Sequence, residues 1–306
     1  MDFRTLLQDE LYSLFPGERE RREAEFLGLL RSSVIRRKQE ETLLCLSHPS
    51  FALLKKCLVL KKEFLPFADY ELILSNERGI RAGFFYHLAI SVAQDLLATL
   101  GFYDVSSLAR RLNTSVACDF VRGIFELRGY IADPLRSYQL EIRFASEDLA
   151  LLVQEVLQKA GMSFRCRRVK GEWCLYAKNA ATVASFLGYL GARQSYLELE
   201  RIRVEKEAMD YLTRWVNYTT SNLERTVQSS LRQREKIRRI PLDALSPKLR
   251  EIAIVRLRYP YASLRELGMY CSPPLSKGEV YRRLKALEEA AERFYQDFGD
   301  TRTTTP

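Results

Sequence analysis

The sequence predicts a mixed α+β chain in which an αββαββα unit is duplicated, followed by a helical linker and a small all-α C-terminal domain. Three observations predict it. Between about residues 21 and 193, helical periods alternate with short strand-like runs, twice in the same order. After residue 193 the strand signal stops, and residues 194–240 are rich in charge and almost free of glycine and proline. Charge divides at nearly the same place: residues 1–200 carry 27 basic and 25 acidic side chains, whereas residues 201–306 carry 21 and 14.

Taken in order, residues 1–20 read as an N-terminal helical extension. The first half, about 21–100, opens with a helix at 21–36 (RREAEFLGLLRSSVIR) and continues with a strand at 41–47 (ETLLCLS) and a helix at 50–60. Two strands within 63–90 and a helix at 91–100 complete it, and 101–116 is a connector. The second half, 117–193, has a helix at 117–130, a strand at 137–145, a helix at 147–160, strands at 163–169 and 172–177, and a helix at 179–190. Strands alternate polar and apolar residues, as in sheets covered on one face, and helices carry apolar residues at i, i+3, i+4 and i+7. Residues 194–240 form a helical linker of one helix or two. The all-α domain, 241–295, holds helices at 247–258, 263–270 and 276–293, broken by YPYA and CSPPL. The tail, 296–306, has nothing to bury and reads as disordered.

Composition removes several classes of function. No apolar run approaches the roughly 18 residues of a membrane span. The start MDFRTLLQDELYSLFPGERERRE has no signal-like apolar core, so a cytoplasmic protein is expected. The six cysteines (45, 57, 118, 166, 174, 271) form no C-x-x-C pair and mostly lie in apolar patterns, which predicts buried free thiols. His48 and His87 have no metal-ligand spacing, so no metal and no cofactor is expected and both read as structural. The net +9 concentrated in the last third points to a polyanion, because each Lys or Arg placed on a phosphate releases a condensed counterion.

The helices that open the two halves share a core, Phe26-Leu27-Gly28-Leu29-Leu30 and Val121-Arg122-Gly123-Ile124-Phe125. A glycine in an otherwise apolar helix permits close backbone approach, as two helices packed about a pseudo-two-fold axis require. With the duplicated αββαββα order, these segments resemble the LAGLIDADG homing endonuclease fold. That resemblance implies a saddle of strands lying along DNA, and catalytic metals held by an acid near the end of each motif. Placing Gly28 and Gly123 on the motif glycine puts Ser33 and Arg128 at the acidic positions. Divalent cations need anionic oxygen ligands, and Arg128 adds positive charge instead. Glu126, two residues earlier on the helix, is expected to face away from the partner helix. The expectation is a nuclease scaffold without nuclease chemistry.

Residues 247–293 have the layout of a helix-turn-helix. The second helix is apolar on one face (Leu264, Leu267, Met269), the Ser-Pro-Pro-Leu turn at 272–275 stops it, and Ser276 can cap the third. Val280, Leu284 and Leu287 face the core. Ser276, Lys277, Gly278, Glu279, Tyr281, Arg282, Arg283 and Lys285 are then placed to meet bases and phosphates of duplex DNA.

A degenerate LAGLIDADG domain followed by a helix-turn-helix resembles the WhiA family of bacterial transcription regulators. The resemblance is strongest over about 118–293. It is carried by RGYIADP (128–134), LGYLGARQSYLELERIRVEKE (187–207), RWVNYTTSNLERT (214–226) and the whole of 246–289 with its Pro-Pro-Leu-Ser-Lys turn. Tyr281 and Arg282 stand where the family helix has Asn and His. The resemblance implies a sequence-specific DNA-binding regulator tied to sporulation, cell division or chromosome segregation, nucleoid-associated, with another transcription regulator as partner in some members. In the linker, Asn217, Thr220, Asn222 and Thr226 cost helix propensity, which leaves phosphate contact, domain docking or solvation as their roles. Two rival readings are an active homing endonuclease and a protein-interaction module at the division machinery.

Overall fold

The structure, a computed structural model, describes residues 2–38, 41–77, 83–99, 102–112 and 115–299. The chain divides into two units, Met1–Glu207 and Ala208–Pro306. In the first, α1 (Phe3–Ser13) precedes two copies of one arrangement. The first copy is α2 (Arg19–Arg31), β1 (Val34–Lys38), β2 (Glu41–His48), α3 (Phe51–Phe64), β3 (Tyr70–Glu77), β4 (Gly83–Ala93) and α4 (Gln94–Thr99). A short helix, α5 (Val105–Arg111), lies in the connector. The second copy is α6 (Ala117–Arg128), β5 (Gly129–Ile131), β6 (Leu140–Phe144), α7 (Glu147–Lys159), β7 (Arg165–Val169), β8 (Glu172–Ala177) and α8 (Ala180–Leu190). The linker is a single helix of 46 residues, α9 (Arg193–Arg238). A 3-10 turn (Leu242–Ala244), α10 (Pro247–Arg258), α11 (Leu264–Met269) and α12 (Lys277–Gly299) follow.

The two sheets are antiparallel and identical in topology, ordered β1-β2-β4-β3 and β5-β6-β8-β7. Register sets their faces. Leu44 lies opposite Ile90 and Leu46 opposite Leu88, all four buried, while Leu43, Cys45 and Ser47 turn to the open face. In the second sheet Leu140 and Ile142 oppose Ala177 and Leu175 in the same way. The inner faces and the helices of both copies share one apolar core. Asn179 and Ser146 cap α8 and α7 by accepting backbone N–H bonds, and Gly191, with φ of 84°, closes α8. The α+β class, the duplication and the all-α C-terminal region are as the sequence predicts.

Several element boundaries differ from expectation, each for a local reason. The helix expected over 21–36 stops at Arg31, because Ser32 Oγ and Ser33 Oγ donate back to the carbonyls of Gly28 and Leu30. The chain then turns into β1, whose Val34 pairs with Cys45. The helix expected over 117–130 ends at Arg128, and Gly129 begins β5. β4 runs to Ala93, so the helix expected from 91 starts at Gln94. The N-terminal extension is part of the core: Phe3, Leu7 and Leu11, at i, i+4 and i+8, are buried. α12 continues to Gly299, and residues 300–306 of the expected tail lie outside the described residues. All six cysteines are free; Cys57, Cys174 and Cys271 are buried, the others half-buried. No described helix is long and apolar enough to cross a membrane.

In the second unit, the end of α9, α10, α11 and α12 enclose a core containing Ile237, Ile252, Leu267, Val280, Leu284 and Leu287. Arg256 is buried within it. Its guanidinium donates to Gln233 Oε1 at 2.9 Å and to the Ala262 carbonyl at 2.8 Å, tying the end of α9 to α10. Met269, expected on the apolar face of α11, is 66% exposed, because this helix of two turns buries only the side of Leu267.

Candidate nucleic-acid interface

Two places carry the chemistry that the sequence singles out, the paired motif helices of the first unit and the start of α12 in the second. The motif helices α2 and α6 pack reciprocally. A Cβ built on Gly28 would fall inside contact distance of the Phe120 carbonyl, and one built on Gly123 would do the same at the Glu25 carbonyl, three residues before Gly28. Each glycine thus meets the backbone three residues before the other, which is the pseudo-two-fold relation the repeat implies. Gly123→Ala must push the helices apart, and a loss of about 1–3 kcal/mol in urea unfolding is expected. An unchanged midpoint would refute the close approach.

At the ends of these helices no carboxylate stands at either motif position. Ser33 is buried and its Oγ donates to Leu30 O at 2.6 Å. Arg128 reaches across, donating from Nε to the Ser32 carbonyl at 2.9 Å and from Nη1 to Glu172 at 3.4 Å. A guanidinium therefore bridges the two motif ends. It lines an open cleft of about 530 Å³ with Ser32, Ser47, Tyr130, Arg143 and Glu172. On the open face of the second sheet, Glu172 also lies 3.8 Å from Arg143, and Glu141 lies 3.8 Å from Arg143 and 3.1 Å from Arg167. The result is an alternating chain of charges across the strands.

Glu126 is a correction. It does not face away from the other motif helix: it is buried and shares Lys56 Nζ with Glu25 of α2, both at 2.6 Å. Around them Arg122 donates to Glu25 at 2.6 Å and to Asp119 at 2.5 Å, and Arg21 reaches Asp119 at 2.7 Å. Three cations and three carboxylates thus bridge α2, α3 and α6. The cluster joins residues that no single sequence motif groups together. Its signal was present in charged residues inside otherwise apolar helices, Lys56 in FALLKKCLVL and Arg122 beside the motif glycine. Burial drives the Glu126 carboxyl up to about 7, opposed by Lys56 and assisted by Glu25. Burial works against the Arg122 guanidinium, but its hydrogen bond to Glu25 carries it above the ordinary arginine value.

The histidines are held in place. Burial lowers the pKa of His48, whose Nδ1 accepts from the Ser50 backbone N–H at 3.0 Å. His87 bridges Ser47 Oγ at 2.8 Å and Ser75 Oγ at 2.6 Å. Among the described residues no group of three His, Cys, Asp or Glu side chains is disposed to hold a metal ion.

The start of α12 sorts its residues by helical phase. Val280, Leu284 and Leu287 are buried. Lys277, Gly278, Tyr281, Arg282 and Lys285 lie exposed on the opposite side at i, i+1, i+4, i+5 and i+8, with Tyr281 59% accessible. Nothing lies within 4 Å of a Cβ built on Gly278. Ser276 caps the helix, its Oγ accepting from the Glu279 N–H at 3.2 Å. Three expected contact residues form ion pairs within the domain: Arg282, its side chain still 77% exposed, reaches Glu279 at 2.9 Å, and Glu279 also pairs with Arg283. Arg283, with a side chain 14% exposed, donates to Glu279 at 3.1 Å and to Glu251 of α10 at 3.0 Å, and Glu251 also accepts from the Ser272 backbone in the turn. Arg283 therefore clamps α12 to α10. The linker residues do not form one site: at about 100° per residue, Asn217 and Thr220 lie on one side of α9 and Asn222 and Thr226 on the other. Thr226 Oγ1 donates to Asn222 O at 2.9 Å.

Comparison with known proteins follows this division. The family model of the WhiA LAGLIDADG-like domain matches residues 117–209, and that of the WhiA C-terminal HTH domain matches residues 212–291. A protein named probable cell division protein WhiA from Carboxydothermus hydrogenoformans is 36% identical over 261 residues, covering 82% of this chain and 84% of that one. One of the same name from Symbiobacterium thermophilum is 31% identical over 309 residues, covering 95% and 98%. The crystal structure of full-length WhiA from Thermotoga maritima matches with a TM-score of 0.60 at 24% identity, over 96% of this chain and 98% of that one. The N-terminal LAGLIDADG domain of WhiA matches with a TM-score of 0.51 at 22% identity, over 64% and 93%. These two structures share the fold.

Proposed function

Because this chain belongs to the WhiA family, we propose that it is a sequence-specific DNA-binding transcription regulator without nuclease activity, acting in cell division, chromosome segregation or sporulation. The observation that carries the reading is the exposed face of α12. Lys277, Gly278, Tyr281, Arg282 and Lys285 project from a helix whose other side is locked into its domain. A helix in the major groove meets base edges with such a face, and the bare Gly278 lets a backbone approach closely. The cell-division names of its relatives support the process assigned.

The absence of cleavage rests on the motif ends. Phosphodiester hydrolysis by divalent metals needs carboxylate ligands there. In their place stand Ser33, turned onto its own helix, and the Arg128 guanidinium. Arg128, Arg143 and Arg167 favour an accessory role for this face in holding DNA backbone, tempered by their pairing with Glu141 and Glu172.

Selection of duplexes from a random pool by the full chain, followed by affinity measurements on the enriched sequence, tests the reading. Arg282→Ala is expected to lose about 1–3 kcal/mol of specific affinity. Binding should fall log-linearly with salt, and the duplex should stay intact in Mg²⁺. Arg283→Ala is expected to lower stability instead, since it opens the clamp to Glu251. No enrichment of any sequence, or full affinity in Arg282→Ala, would overturn the assignment of α12. Cleavage that survives in Mg²⁺ across preparations would favour the nuclease.

A further inference from the structure

The arginines of the first unit differ in how far their nitrogens are engaged. Arg122 has an acceptor on each of its three nitrogens, in Glu25, the Leu190 carbonyl and Asp119. Arg128 and Arg143, on the wall of the open cleft at the motif ends, do not. Arg128 places Nε on the Ser32 carbonyl and Nη1 on Glu172, and its Nη2 meets no acceptor among the described residues. Arg143 makes no hydrogen bond to any described residue and only lies 3.8 Å from Glu141 and from Glu172. An arginine has five N–H donors, so both keep most of theirs for something outside the fold. The cleft also fixes where these donors stand. α2 and α6 both end here, and the free carbonyls of helix C-termini carry partial negative charge. The Ser32 carbonyl, just past the end of α2, holds Arg128 Nε at 2.9 Å and so orients the guanidinium before any ligand arrives. The one carboxylate of Glu172 touches both arginines, Arg128 through Oε1 at 3.4 Å and Arg143 through Oε2 at 3.8 Å, so the two guanidiniums are spaced for a single oxyanion. Both distances exceed the roughly 2.7–2.9 Å of a full charge-assisted hydrogen bond, and Glu172 leaves them unsatisfied.

We infer that this cleft is a phosphate-binding site in which Arg128 and Arg143 are the cationic ligands. The planar fork of a guanidinium matches phosphate oxygens, and two forks either side of one oxyanion position suit a group that presents oxygens in more than one direction. A phosphate monoester brings three acceptor oxygens and about −1.5 to −2 of charge near neutral pH, enough to outweigh the opposing charge of Glu172. Ser47 and Tyr130 add hydroxyls to the same wall, and the volume of about 530 Å³ is that of a small-molecule site. Two sources share this chemistry, a free phosphate ester and a backbone diester of duplex DNA. The inference deepens the accessory role given to this face and does not depend on α12.

Calorimetric titration of the full chain with pyrophosphate tests the site. Arg143→Gln is the first variant, because Arg143 donates to no described residue and its replacement leaves the packing alone. It should weaken pyrophosphate binding about 10- to 100-fold, as should Arg128→Gln. Glu172→Gln removes the competing carboxylate and should tighten binding, a gain that damage to the fold does not produce. Arg282→Ala, on α12, should leave pyrophosphate affinity as it is. Titration of the same variants with duplex DNA separates the two sources. If the backbone enters the cleft, Arg143→Gln weakens every duplex sequence by one factor and lowers the salt slope by about one. If a free ester fills it, duplex affinity and salt slope stay at their native values. Either result, with the pyrophosphate series as expected, supports the site. A native chain that takes up no pyrophosphate, affinity unchanged in both arginine variants, weaker binding in Glu172→Gln, or a loss in Arg282→Ala equal to that in Arg143→Gln would overturn it. The reading of α12 fails separately, through full duplex affinity in Arg282→Ala.

Discussion

Lys56→Met is expected to lower the free energy of unfolding by about 3–5 kcal/mol near neutral pH. Lys56 Nζ has three protons and three acceptors: Glu25 and Glu126, each at 2.6 Å, and the Leu11 carbonyl at 2.9 Å. Methionine keeps the length and the apolar stem, so the loss is chiefly electrostatic. Glu25 would retain Arg122, but Glu126 would be left in a buried site without its cation, and α1 would lose its tie to α3. Breaking one partner of a buried pair costs more than the pair contributes, because the stranded charge has already given up its hydration. Glu126 can escape by taking a proton, so the loss should shrink as pH falls. The exposed pair of Lys159 with Glu155 supplies the control, since its removal should cost no more than about 1 kcal/mol. Urea unfolding followed by far-UV circular dichroism measures both. Equal losses for Lys56→Met and Lys159→Met would mean that the buried geometry contributes nothing special.

The helices and inner strands were legible because burial and periodicity coincide in them. Leu44 and Leu46 alternate with polar or half-buried neighbours, and α10 is bounded by Pro247 and the residue before Pro260. The missed strands, β1 and β5, are short, begin directly after a helix, and owe their conformation to partners far along the chain. Val34 has no local reason to leave the helical pattern, and only its pairing with Cys45 and the back-bonded Ser32 and Ser33 make the break. The motif glycines were legible because close helix approach leaves a residue type as its mark. The charge cluster was not, since Lys56 and Glu25 lie far along the chain from Arg122 and Glu126, and a charge inside an apolar helix does not name its partner. At α12 the exposed and buried sides followed from helical phase. The capture of Arg283 by Glu251 on another helix is tertiary information that phase does not contain.

Glu126→Gln is expected to remove a pH dependence of stability that the native chain carries between about pH 4.5 and 7. Burial raises the Glu126 carboxyl from the ordinary 4.5 to about 7. Between those values the folded chain binds the extra proton and the unfolded chain does not, so this group makes stability fall as pH rises through the window. The full span corresponds to about 3 kcal/mol. Groups from the neighbouring elements face it: Lys56 and Cys57 of α3, Glu25 of α2, Arg122 of α6, Tyr12 of α1 and His48 of β2. Burial raises Tyr12 far above the window and pushes Cys57 up to about 12, so neither titrates there. His48 does, with the opposite sign: burial lowers its folded pKa, so its contribution is lost as pH falls. Comparing the native chain with Glu126→Gln at each pH cancels His48, which both retain. The carboxylates of Glu63 and Glu266 are held low by Arg22 and by the Ser263 backbone, so their contributions are lost only below the ordinary carboxylate range. Urea midpoints should therefore show the native chain gaining about 3 kcal/mol on the glutamine variant as pH is lowered across the window. A constant difference would mean that Glu126 keeps its charge throughout, with Lys56 and Arg122 together outweighing the desolvation of a buried carboxylate.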